Sequence, residues 1–171
     1  MAVTGGPRSV PRGPTSIATD ANTRNDILNR DLAAPEWRAG THDCVVIAGE
    51  LTDPYTGAAV HFRKAAADEV QIDHVVSLHD AWNTGAAEWN DDRRREFAND
   101  PLNLLATAGA ANQAKGDNTA AAWLPPNRAA HCEYVARQIA VKAKWRLRVS
   151  AAEHDALAVA IAQCPDARLP S

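Results

Sequence analysis

The stretch VQIDHVVSLHDAW, residues 70–82, constrains this chain more than any other. It opens as a β-like run and then sets an acid and a histidine side by side, Asp73 and His74. A strand that only fills a core has no use for that pair, because both groups must be solvated, paired or working. Asp73 is a hard oxygen ligand suited to Mg²⁺ or Mn²⁺. His74 titrates near neutrality and suits a general base. Neighbouring residues on a regular strand face opposite sides, so the two can serve one site only if the strand ends or bends there.

The next polar residue in an apolar setting is Asn103, inside PLNLL. A buried amide there must be hydrogen-bonded, and one use is to pin a loop through backbone groups. Nine residues on, in NQAKGDN, Asn112 and Lys115 stand at i, i+3 and share a helix face. An amide oxygen can ligate a metal, and a lysine can hold a phosphate. An acid, a base, a neutral amide and a cation together suit metal-assisted phosphodiester hydrolysis. The metal stabilises charge on the phosphate and leaving oxygen, and the histidine activates a water.

Around these motifs the chain reads as an α+β domain, mostly helical with a few short strands. Residues 1–16, rich in Gly, Pro, Ser and Thr, read as a disordered tail, and 17–166 as one domain. Ile27, Leu28 and Leu32 form a helical stripe, with Asn22 or Thr23 as N-cap. The branched run 44–51, the turn signals of 52–59 and a return at 59–62 predict a β-hairpin. A strand over 70–76, a helical stretch over 78–98, a strand within 100–107 and a short helix closed by Gly116 follow. Two helices, 128–145 and 150–163, end the chain, the second opening on a Ser150/Glu153 capping box.

The 46% hydrophobic content supports a core, and five Trp against two Tyr and two Phe make tryptophans its anchors. Trp82, Trp89, Trp123 and Trp145 are assigned to packing. Net charge −3 argues against a non-specific coat on nucleic acid. No apolar run reaches the length of a membrane span. Cys44, Cys132 and Cys164 are an odd set. They read either as buried thiols or as one Cys132–Cys164 bridge, which needs an oxidising compartment.

The runs TRNDIL (23–28), DPYTG (53–57), IDHVVSLHDAW (72–82), FANDPLNLLA (97–106), NQAKGDN (112–118), WLPPN (123–127) and CEYVARQIAVKAKW (132–145) resemble the HNH endonucleases. The resemblance is closest to the group allied to the GmrSD C-terminal nuclease domain. It implies a ββα-metal core and a metal-dependent DNA endonuclease. Asp73 and Asn112 would ligate one divalent ion, and His74 would be the general base. Asn103 would orient the metal loop, and Lys115 would stand near a phosphate. Arg24 and Arg94 would contact substrate. Asn rather than His at position 112 favours Mg²⁺ or Mn²⁺ over Zn²⁺. The implied partner is the DNA phosphate backbone, with a protein partner for targeting where basic surface is scarce. The alternative is a nucleic-acid-binding or assembly protein that keeps the fold without cleaving.

Arg93, Arg94 and Arg95 also read as a solvated helix face balanced by Asp91, Asp92 and Glu96. The basic residues Lys142, Lys144, Arg146 and Arg148 read as another. Secreted relatives carry a cysteine just before Thr-Arg-Asn-Asp, where this chain has Ala21 and Asn22. With no apolar leader in the N-terminal residues, the expectation is a cytoplasmic protein, or a secreted one whose leader has been removed.

Overall fold

The computed structural model describes residues 20–170, so the tail expected over 1–16 lies outside the described residues. Helix α1 (Asp20–Asp31) buries Ile27 and Leu28, and Leu32 follows it into the same core. Because the helix starts at Asp20, Thr23 is no N-cap; it faces inward and donates to Asn99 Oδ1 at 2.7 Å.

A three-stranded antiparallel sheet comes next, with β2 (Val46–Thr52) between β1 (Ala33–Trp37) and β3 (Ala59–Arg63). The β2–β3 hairpin runs in continuous register from Thr52↔Ala59 to Ala48↔Arg63. The strand β1 escapes the sequence reading because Pro35 interrupts it. The register shifts between Ala33 and Glu36, so the proline sits in an irregularity on an edge strand, where a missing N–H is tolerated.

The catalytic motif of the sequence reading lies on a separate two-stranded ladder. There β4 (Val70–His74) pairs antiparallel with β5 (Leu104–Ala108), from Val70↔Ala108 to His74↔Leu104. Helices α2 (Leu78–Thr84) and α3 (Asp91–Ala98) fill the excursion between them. The single helical stretch expected over 78–98 is broken at Gly85. Its φ of 152° is a backbone that side-chain-bearing residues rarely adopt. Helix α4 (Gly109–Lys115) follows β5 directly. A Cβ at Gly109 would fall 2.2 Å from the Asp68 carbonyl oxygen, so only glycine lets α4 start this close to the entrance of β4. Helices α5 (His131–Trp145) and α6 (Ala151–Ile161) complete the α+β arrangement.

Period-two alternation makes this ladder the middle layer. Val70, Leu104 and Ala106 pack with Ile27, Leu28, Val46 and Phe62 on one side. Leu105, Ala111, Tyr134 and Val135 pack on the other. The side chains of Asp73 and His74 therefore leave β4 on opposite faces.

The tryptophans divide. Trp89 and Trp145 pack with Phe97, and Trp123 packs with Tyr55 and Tyr134. Trp82, expected as an anchor, is half exposed under the Arg94 guanidinium. Ser150 caps α6 by accepting from Glu153 N–H at 3.2 Å. The Glu153 carboxylate does not return to complete the box. It is buried and takes Lys142 at 2.8 Å, and Lys142 also meets Asp80 at 2.7 Å. Lys142 is thus no part of a solvated basic face, since two carboxylates neutralise it inside.

Cys132, in the first turn of α5, is bonded to Cys164 just beyond α6, 32 positions away, while Cys44 is free and exposed. Closing a loop of this length restricts the unfolded chain by about 3–4 kcal/mol. Urea unfolding with and without dithiothreitol should show that loss as a lower midpoint. An unchanged midpoint would mean the bond does not constrain the unfolded state.

Candidate active site

His74 ends β4, and its Nε2 lies 2.9 Å from the Ala98 carbonyl at the end of α3. A carbonyl only accepts, so Nε2 carries the ring proton and Nδ1 is the basic nitrogen. Nδ1 has no hydrogen-bond partner among the described residues. Burial pushes the His74 pKa below the ordinary value of 6.5; the Ala98 carbonyl and Asp73 oppose that shift, and Lys115 adds to it. The ring is therefore held in one orientation with Nδ1 open to a proton, and burial favours its neutral form.

The imidazole lines a groove of about 510 Å³ together with Arg24, Gln71, Ile72, Asn99 and Asn112. Asn112 donates its amide N–H to Gln71 Oε1 at 2.8 Å. That fixes the amide and leaves Oδ1 without a partner among the described residues. Arg24, from α1, donates from Nη2 to the carbonyls of Ala67 and Val70 at 3.1 and 2.9 Å. Its guanidinium thus ties the approach to β4 while lining the groove. Two other grooves flank α5 and α6, with walls that include Ile139, Leu157, Ala158 and Ala160. Neither holds His74, Asn112 or Arg24.

Asp73 sits behind this groove. It is 5% exposed, with Oδ1 accepting from Lys115 Nζ at 2.9 Å and Oδ2 from the Tyr55 hydroxyl at 2.5 Å. Lys115, expected beside a phosphate, is fully buried, and its ammonium also donates to the His74 carbonyl at 2.9 Å. Substrate cannot reach it. Its burial follows from α4 packing on the β4–β5 ladder, which turns the Asn112/Lys115 face inward and leaves only Asn112 at the rim.

Asn103 is also fully buried. Its Oδ1 accepts from Val76 N–H at 2.8 Å and its Nδ2 donates to the Val76 carbonyl at 3.0 Å. It stitches β5 to the loop after His74 and touches no groove surface. Arg94 stands outside the groove. It pairs with Asp91 at 2.8 Å and donates to the Ala86 and Ala87 carbonyls, which braces the turn after α2.

The sequence motifs give Tyr55 no site role. Asp53 is the reason it arrives. Fully buried in the β2–β3 turn, Asp53 accepts from Thr56 N–H, the Thr56 hydroxyl, the Thr107 hydroxyl and Ala108 N–H. Burial alone would raise its pKa, but these bonds outweigh burial and hold it below the ordinary carboxylate value. The turn is thereby bolted to β5 and presents Tyr55 to Asp73. The local signal is the Asp-Pro-Tyr-Thr-Gly turn; the contact to Asp73, 18 positions on, is not written in it.

Among the described residues no three of His, Cys, Asp or Glu gather as a metal site. A closed structural zinc centre of those ligands is therefore not built here. The donors available are hard oxygens: Asn112 Oδ1 at the groove, and the acceptor sites of Asp73 that Tyr55 and Lys115 leave unused. Both are donors of the kind that Mg²⁺ or Mn²⁺ takes, but only Asn112 lines the groove, and Asp73 lies behind it.

Residues 22–160 match the family described as the C-terminal domain of GmrSD restriction endonucleases. A protein of Arthroderma benhamiae named an uncharacterized secreted protein is 38% identical over 151 residues, covering 87% of this chain and 71% of the relative. The expectation of a cytoplasmic protein is corrected by that relative, which points to secretion. The Cys132–Cys164 bond agrees with the correction, because such bonds persist in oxidising compartments. The missing cysteine near position 22 was a poor guide, since it bears on one bond and not on the chain's compartment. With the match spanning most of its length, the chain belongs to the nuclease family of GmrSD restriction endonuclease C-terminal domains.

Proposed function

We propose that this protein is a secreted, metal-dependent DNA endonuclease that hydrolyses phosphodiester bonds with one Mg²⁺ or Mn²⁺ and with His74 as general base. The observation that carries the reading is the state of the imidazole. Its Nε2 proton is committed to a backbone carbonyl, and its basic Nδ1 shares a groove with an unengaged amide oxygen and an arginine. Asn112 and Asp73 would hold the ion, which when bound stabilises the charge that develops on the phosphate and leaving oxygen. His74 Nδ1 takes the proton of the attacking water. Arg24 keeps donors besides the Nη2 spent on Ala67 and Val70, and as a groove residue it would offer them to a flanking phosphate. Asn103 holds the loop that follows the base, and Arg94 braces the excursion that brings Ala98 to the ring.

Supercoiled plasmid incubated with the protein in EDTA, Mg²⁺, Mn²⁺ or Zn²⁺ tests the reading. Nicking with Mg²⁺ or Mn²⁺ and none in EDTA supports it. Binding that weakens with salt, with no cleavage under any metal, would instead favour a non-cleaving DNA-binding protein.

The pH dependence follows from the ring. The base form is neutral, and burial moves its titration below 6.5. At saturating metal, the cleavage rate should rise with pH through a point below 6.5 and stay level from there to neutrality. A rate still climbing as a single titration between pH 7 and 8 would contradict this assignment. The sign for stability is the same: the unfolded histidine takes up a proton more readily than the folded one, so this contribution is present above about pH 6.5 and is lost below it.

A further inference from the structure

The buried clamp on Asp73 has a component beyond the residues of the proposed reaction. We infer that Tyr55 is a positioning residue, whose hydroxyl, opposite Lys115, holds the Asp73 carboxylate in one orientation beneath the groove. The inference rests on the nuclease reading for its catalytic meaning, but its geometry stands independently. The ring is seated without help from the hydroxyl: it packs edge-on against Trp123 at 5.1 Å and Tyr134 at 5.6 Å between centroids. The turn beneath it is fixed by the four hydrogen bonds to Asp53. A tyrosine needed only for packing could bury its hydroxyl against any acceptor. Here it meets the one carboxylate oxygen that Lys115 leaves open, at 2.5 Å.

The consequence is rotational. With a donor on each oxygen, the carboxylate cannot turn about its Cβ–Cγ bond without breaking one of two buried hydrogen bonds. Its remaining acceptor sites then point in one direction. Partners of this kind behind a metal-binding carboxylate change metal affinity or activity by about 10–100-fold when removed.

Tyr55→Phe keeps the ring and deletes only the hydroxyl. Three readings on the full-length protein test the inference: Mn²⁺ affinity by calorimetry without DNA, kcat at saturating Mn²⁺ on a labelled duplex, and the ¹⁵N–¹H signal of the Lys115 ammonium. We expect Mn²⁺ affinity or kcat to fall about tenfold or more, KM for DNA to stay within about twofold, and the Lys115 signal to broaden as the carboxylate becomes free to turn. Tyr134→Phe deletes a neighbouring hydroxyl that lies near Asp73 but is hydrogen-bonded to Gln138 and not to the carboxylate, and should leave all three readings near wild type. If Tyr55→Phe keeps wild-type Mn²⁺ affinity, kcat and a sharp Lys115 signal, Tyr55 only packs and the inference is overturned. If the wild type neither binds Mn²⁺ nor cuts, the nuclease reading fails, and the Lys115 signal alone still decides for or against the clamp.

Discussion

His74→Ala lowers kcat by about 10²–10⁴-fold, with thermal stability and DNA affinity close to wild type. The loss comes from one atom. The Ala98 carbonyl already holds Nε2, so the ring has a single basic position, and no second histidine lines the groove. DNA affinity should survive because phosphate attraction depends on cations such as Arg24 and not on a neutral ring. Stability should survive because the ring's one hydrogen bond, to a part-exposed carbonyl, is worth about 1 kcal/mol net. The measurement is single-turnover cleavage of a labelled duplex beside a melt and a binding titration. A variant as fast as wild type would remove His74 as the base. A variant that fails to fold would show that the ring is structural.

The second large effect concerns Lys115. Replacing it with methionine keeps the chain length and removes the charge, which leaves the buried Asp73 carboxylate facing only the Tyr55 hydroxyl. Breaking a buried ion pair on one side costs about 3–5 kcal/mol. Chemical denaturation should show that loss. The paired substitution Asp73→Asn with Lys115→Met should recover much of it, because no uncompensated charge remains. A phosphate-binding lysine would behave in the opposite way. Its loss would leave the unfolding midpoint alone and reduce the salt dependence of DNA binding by about one unit of slope. The contrast separates the buried clamp from the phosphate contact that the sequence pattern implied.

That difference shows where sequence reasoning reaches its limit here. The spacing of Asn112 and Lys115 shows that they share a helix face, but it cannot say how deep the face lies. The depth comes from α4 starting against Asp68 at Gly109, a tertiary contact. Asn103 was legible as a loop pin, because an amide inside an apolar strand must find backbone partners, and it finds both on Val76. The β2–β3 hairpin was legible from branched residues and turn signals, whereas Pro35 concealed β1 in a bulged edge. Tyr55 was hidden because its importance depends on a fold that brings the 53–57 turn under β4. The basic run at 93–95 pairs locally, Arg94 with Asp91 and Arg95 with Asp92, which favours the solvated-face alternative.

The proposed chemistry depends most directly on the imidazole as proton acceptor. His74→Gly removes the ring from the groove that Ala98, Leu104 and Asn112 also line. The measurement is the single-turnover cleavage rate of this variant at saturating Mg²⁺, with and without added imidazole. The expected rate is reduced by at least about 10²-fold and rises with the concentration of neutral imidazole. A folded His74→Gly protein that cuts at the wild-type rate without imidazole would contradict it.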